Sequence, residues 1–247
     1  MKKIIALMVI IILAYGGYYW YLGNSLGELK YEIQKVSISG DKYKIDGEIP
    51  VVTDGIPKVA KQQINTTLNR FVSDSVDKTK KDFEDLAKDL TELRSETSLT
   101  YLGKVSVKND FKKLPFINVA IETYYYSGGA HGINDVATFV FDAYTGKKLE
   151  LGDIFEGDYL KLLSKLSLEA LKFKDPKLET YSFAEDGTQP LEDNFKAFTL
   201  EPDGMHIVFG DYQVGPYSSG RPEIVIPYIK LDSVLKTEIK KIVERNK

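Results

Sequence analysis

Apolar and polar residues alternate along residues 30–39 and 42–52, and Ser39-Gly40-Asp41 between them reads as a turn. Tyr31 and Ile33, with Val36 and Ile38 as further candidates, mark the inner side of the first run. Tyr43, Ile45 and Ile49 mark it in the second. A period of two with a turn between is the pattern of a half-buried hairpin. Over residues 56–90 the spacing lengthens: Ile56, Ala60, Ile64, Leu68, Val72, Val76, Phe83, Leu86 and Leu90 recur at three- and four-residue steps, with Val59 and Phe71 on the same stripe. This predicts one long amphipathic helix with Pro57 in its first turn and a candidate break near Asp77.

Strand patterns return at residues 97–108, 116–126 and 136–144, the last closing in the turn Asp142-Ala143-Tyr144-Thr145-Gly146. A leucine-rich helix is expected over 157–173, with Leu160, Leu163, Leu166 and Leu171 on one face. A polar loop follows at 176–190, then a hairpin of 196–200 and 205–211 around Glu201-Pro202-Asp203-Gly204, a short strand at 223–226 and a closing helix over 228–243. The elements are clustered rather than strictly alternating. The expected fold is therefore α+β, with mainly antiparallel sheets packed by one long helix and two shorter ones. The expected division is 1–27, then halves at 28–146 and 147–247 that meet near Gly146 to Gly152.

The N-terminus departs from this amphipathic pattern. Lys2 and Lys3 precede an uncharged stretch, residues 4–23, whose first half is aliphatic and whose second half carries Tyr15, Tyr18, Tyr19, Trp20 and Tyr21. About 20 helical residues span a hydrocarbon layer of about 30 Å, and aromatic rings favour its interface. The segment reads as a single membrane anchor with the N-terminus inside and the rest of the chain outside the cytoplasm. A cleaved signal peptide is the competing reading, but an A-x-A-like site is missing, since Ala14 is followed by Tyr15.

Composition narrows the chemistry. The 247 residues suffice for a sizeable core, and there is no cysteine, which excludes disulfides, thiolate metal sites and cysteine nucleophiles. With Lys2 and Lys3 taken from the 33 basic residues, 31 remain against 36 acids, so the rest of the chain carries about −5. That disfavours nucleic acid and favours a cationic partner.

Three local patterns carry a resemblance. They are Tyr124-Tyr125-Tyr126-Ser127-Gly128-Gly129-Ala130-His131-Gly132, then Leu151-Gly152-Asp153-Ile154-Phe155, then Tyr212-Gln213-Val214-Gly215-Pro216-Tyr217-Ser218-Ser219-Gly220 ahead of Val225-Ile226-Pro227-Tyr228. In this order they resemble the extracytoplasmic domain of the anti-sigma-V factor RsiV and the non-catalytic N-terminal region of the peptidoglycan deacetylase PdaC, over roughly residues 31–235. The resemblance implies an envelope module, and in its sensing members a domain that captures lysozyme. Two features set this sequence apart: only three residues precede the apolar stretch, and it has two histidines and no Asp-Asp dipeptide for a deacetylase metal site. Neither sigma-factor control nor deacetylation is therefore carried over.

Ser127 and His131 invite a nucleophile–base pair, but the G-x-S-x-G elbow is absent, and the glycines are explained by a tight turn in which His131 bonds locally. His131 and His206, with Asp135 or Asp211, lack metal-ligand spacing. No catalytic residue, metal or cofactor is expected. The expected function is a membrane-tethered, non-enzymatic module that captures a lysozyme-like protein or a peptidoglycan-type ligand. Its expected contacts are Tyr126, Ser127, Gly128, Gly129 and His131 in one loop and Val214, Pro216, Tyr217 and Arg221 in another. Two alternatives remain: an envelope hydrolase using His131 with a carboxylate, and a structural subunit of a membrane complex that pairs through Gly16-Gly17.

Overall fold

The computed structural model describes residues 26–89 and 99–244. The anchor read at residues 4–23 lies outside them. Among the described residues no helix is long and apolar enough to cross a membrane.

The chain opens with the expected hairpin, β1 (Lys30–Ser39) and β2 (Tyr43–Asp54). Burial divides the two strands. In β2, Ile45, Ile49 and Val52 are buried, whereas Tyr31 and Ile33 of β1 are 42% and 38% exposed. The half-buried reading of β1 is thus corrected: it is the outermost strand, and Val36 and Ile38 are the hydrophobic side chains it packs against the core.

Helix α1 (Lys58–Asp89) runs 32 residues, about 48 Å at 1.5 Å per residue, without the break expected near Asp77. Pro57, which has no N–H to waste, sits just before it and accepts the Lys61 amide (3.0 Å). Ala60, Ile64, Leu68, Val72, Val76 and Phe83 form the buried stripe, while Val59, expected on it, is 70% exposed. Each large side chain removed from water here contributes on the order of 1.5–3 kcal/mol. The carboxamide of Asn65 clamps both the N–H and the carbonyl of Val52, fixing the helix to β2 (2.8 and 2.9 Å).

Because α1 carries the chain back along the sheet, β3 (Leu99–Asp110) pairs parallel with β2, a connection that needs such a crossover. The other pairings are antiparallel. β4 (Leu114–Tyr126), β5 (Ile133–Asp142) and β6 (Lys148–Leu149) complete a six-stranded sheet in sequential order. The turn after β5 forms as expected, with Asp142 accepting from the amides of Tyr144 and Thr145. Gly146, at φ +75°, lies so close to α1 that a Cβ would meet the Ala60 carbonyl oxygen at 2.4 Å.

Strand β4 faces two cores. Ile117, Val119 and Ile121 pack under α1, while Leu114 and Phe116 point to a second core on the opposite face. That second core is built by α2 (Leu151–Ile154), α3 (Tyr159–Lys174), α4 (Ala184–Gly187), the three-stranded sheet β7 (Phe198–Glu201), β8 (Gly204–Val208) and β9 (Glu223–Ile226), and helices α5 (Tyr228–Leu231) and α6 (Thr237–Glu244). Two expectations are corrected. The polar loop at 176–190 contains α4, with Ala184 buried. The closing helix is divided, because Leu235 bridges to Phe155 and the Lys236 amide bonds Ile154 between α5 and α6.

The mixed α+β class with mainly antiparallel sheets is as expected; the short helices α2 and α4 add to the three helices expected. One buried side chain links the two sheets through their backbones. Asn118, on the even-numbered face of β4, donates to the Leu200 carbonyl (2.9 Å) and accepts the Leu200 amide (3.0 Å). Leu200 lies on the side of β7 turned away from β8, so the carboxamide completes that strand's outer edge.

Candidate functional site

Two loops from different sheets meet above this seam. The β4–β5 turn carries Tyr126 to Gly132, and the long connection between β8 and β9 carries Asp211 to Arg221. Gly128 and Gly129 take φ +102° and +107°, where a side chain would be strained. Gly132 serves differently: a Cβ there would sit 2.5 Å from the Tyr124 ring, and the space lets Tyr124 Oη accept the Gly132 amide (3.2 Å). Tyr126 Oη donates to the Gly129 carbonyl (2.9 Å), and His131 Nδ1–H donates to the Gly132 carbonyl (2.9 Å).

The expected contact loops come together. The His131 ring stacks on Tyr217 with centroids 4.0 Å apart and planes 19° from parallel. Asp211 accepts from the amide of Asn134 (2.9 Å) and from its side chain (3.2 Å), and the same Asn134 carboxamide donates to Tyr217 Oη (3.3 Å). Tyr212 holds its backbone at φ +64°, a strained conformation for a residue with a side chain, and is 48% exposed, with its ring centroid 5.8 Å from that of Tyr217. Ser127, Gly129 and His131 are exposed, and Pro216 is half-buried. Val214 is corrected: at 1% exposure it belongs to the second core and offers nothing to a ligand.

Arg221 closes the loop from below. Its guanidinium donates to Glu122 on β4 (2.7 Å) and to the Asp135 carbonyl on β5 (3.2 Å), which ties the loop to the first sheet. Beneath it, between the even-numbered face of β4 and the polar face of the second sheet, opens a cleft of about 370 Å³ lined in part by Lys108, Glu122, Thr138, Glu201, Arg221 and Glu223. Its charges are interlocked. Lys108 pairs with Glu201 across the seam (2.9 Å), and that bond raises the lysine's proton affinity. His206 lies with Nδ1 2.5 Å from Glu223 and Nε2 2.8 Å from Asp203, with Glu201 at 3.9 Å. Burial opposes its charge, but the bonds to Asp203 and Glu223 prevail and raise its pKa, while Asp203 is lowered by its bond to His206.

Asn134, Lys108 and Glu122 are not singled out by the sequence, and Tyr212 stands there only as the first residue of the loop pattern. Asp211 and His206 drew notice only for a metal. Among the described residues no group of three or more His, Asp or Glu is placed to hold one. His131 and Ser127 sit in the turn, with the His131 ring laid flat on Tyr217.

Two family descriptions match the chain, and each covers one of these loops. Residues 37–134, which run through the β4–β5 turn into the start of β5, match "Deacetylase PdaC", and residues 152–229, which hold the Tyr217 loop, match "Protein of unknown function (DUF3298)". The chain thus carries a PdaC-like and a DUF3298-like domain region. Among individual proteins, it is 28% identical over 194 residues to "Peptidoglycan-N-acetylmuramic acid deacetylase PdaC" of Bacillus subtilis, over 77% of this chain and 40% of that protein. It spans well under half the length of that relative. Its fold is that of a DUF3298 family member from Bacteroides fragilis, with TM-score 0.68 at 21% identity over 90% of this chain and 99% of that one. A DUF3298 family protein from Pseudomonas aeruginosa gives 0.60 at 16% identity over 86% and 97%.

Proposed function

We propose that this chain is a non-enzymatic, extracytoplasmic binding module that holds a peptidoglycan-type glycan on the surface formed by Tyr212, Tyr217 and His131, tethered to the cell membrane by residues 4–23. The observation that carries this reading is the His131–Tyr217 stack, which makes one aromatic surface from two loops 86 residues apart in sequence. The exposed rings of Tyr212 and His131, with half-buried Tyr217 between polar groups, suit a pyranose, whose faces are apolar and whose rim is hydroxylated. The strained backbone at Tyr212 fits a surface held ready before its ligand arrives. The relative named as a peptidoglycan deacetylase supplies the ligand class, and the resemblance is to that protein's non-catalytic N-terminal region.

A second ligand, a lysozyme-like cationic protein as in the RsiV-like sensors, is favoured by the acidic balance of 36 acids against 33 basic residues. Sedimentation of the chain with purified peptidoglycan, and separately with lysozyme on beads, distinguishes the two. Capture by peptidoglycan that is lost in Tyr217→Ala supports the glycan reading. Capture by lysozyme alone moves the proposal to the protein ligand, and capture by neither removes it. Turnover of muropeptides that is lost in His131→Ala would replace the binding reading with a hydrolase.

A further inference from the structure

The second sheet has two outer edges, and the molecule treats them differently. The Asn118 carboxamide seals the β7 edge. Among the described residues no strand pairs with the outer edge of β9. The register shows which of its groups face outward. The Phe209 amide bonds the Pro222 carbonyl, so the bonded pairs with β8 are those of Pro222, Ile224 and Ile226. Glu223 and Val225 therefore turn their amides and carbonyls away from the sheet. Lys174 Nζ takes the Glu223 carbonyl.

This edge opens into an apolar groove of about 540 Å³ between β9 and α3, walled by Ala170, Phe173, Val225 and Pro227. Phe173 is 90% exposed and Val225 39%, unusual for apolar side chains beside the outer edge of a sheet. The same lining carries two lysines, Lys174 and Lys230, and two glutamates, Glu169 and Glu223. Lys174 and Glu223 are engaged within the chain, with the Glu223 carbonyl and with His206, which leaves Lys230 and Glu169 as the lining charges of opposite sign that a two-fold pairing across this edge can bring together.

We infer that β9 is a self-association edge. Two copies of the chain pair antiparallel through Glu223–Ile226, joining their three-stranded sheets into one of six and covering both Phe173 rings. The charges favour a second copy over an unrelated extended peptide, because Lys230 of one copy can meet Glu169 of the other.

Sedimentation velocity of the full chain in mild detergent, with a Val225→Pro variant beside it, tests this. Proline removes the outward amide of an edge residue and leaves the bonds to β8 in place. The expected result is a protein mass twice that of the 27.9 kDa chain, falling to a single chain in Val225→Pro with the circular dichroism spectrum unchanged. The chain has no cysteine, so a second reading comes from bismaleimide cross-linking of Val225→Cys, expected to be at least tenfold faster than that of Val59→Cys on α1. A wild-type chain that sediments as a monomer overturns the inference. So does a dimer that survives Val225→Pro with equal cross-linking at both positions, which would place association elsewhere. If the monomer binds an added extended peptide and protects the Val225 amide from exchange, the edge takes a foreign strand instead.

Discussion

Single side chains carry much of this architecture. Asn118 satisfies two buried backbone groups of Leu200, so Asn118→Leu leaves both without a partner at about 1–3 kcal/mol each. Chemical denaturation should show a loss of that order, whereas a change within a few tenths of a kcal/mol would mean that water or repacking replaces the clamp. In the sequence a lone asparagine between Ile117 and Val119 reads only as a polar strand position, and nothing in its spacing points to a strand 82 residues away. His206 gives a pH dependence. Both ring nitrogens face carboxylates, and its folded pKa is raised above 6.5. Its contribution is therefore complete below the unfolded pKa and is lost as pH rises through the folded one. Groups facing it are Glu201, Asp203 and Glu223, with Lys108 beyond Glu201. The melting temperature should fall more steeply from about pH 6 to about pH 9 in the wild type than in His206→Gln. Parallel profiles would contradict this.

At the scale of elements, what could be read was governed by periodicity. The α1 stripe and the alternation in β2 and β4 follow directly from which side chains meet a core, and those boundaries were recovered within a few residues. The closing helix reads as one because Leu231, Val234, Leu235 and Ile239 keep a helical spacing across a break that is set by the bridge from Leu235 to Phe155. Val214 misleads for a related reason: an apolar residue in a glycine-rich loop reads as exposed, and only the fold turns it inward. The glycine turn was legible as a turn, but Gly132 is needed for room beside Tyr124 rather than for its backbone angle. Gly132→Ala should therefore displace Tyr124 and disorder the turn, raising amide exchange in residues 127–133 at least tenfold while α1 stays protected. Unchanged exchange in the turn would show that the ring adjusts at little cost.

Across the whole molecule, the two sheets meet at a polar seam, and the two conspicuous sequence loops lie together at its mouth. The sequence offers each loop as a candidate but not their contact, since stacking of His131 on Tyr217 depends on how the two sheets are brought together by Asn118, Arg221 and the Lys108–Glu201 pair. A binding surface assembled from two loops should fail when either is cut back. His131→Ala and Tyr217→Ala should each weaken ligand capture at least tenfold, and the double variant should lose less than the sum, because the rings act as one unit.

The most direct test of the account is isothermal titration of the chain with soluble peptidoglycan fragments, comparing wild type with Tyr217→Ala at matched melting temperature. The account predicts saturable binding by the wild type and at least tenfold weaker binding by the variant. Equal affinity in the two, or no heat from either, would contradict it.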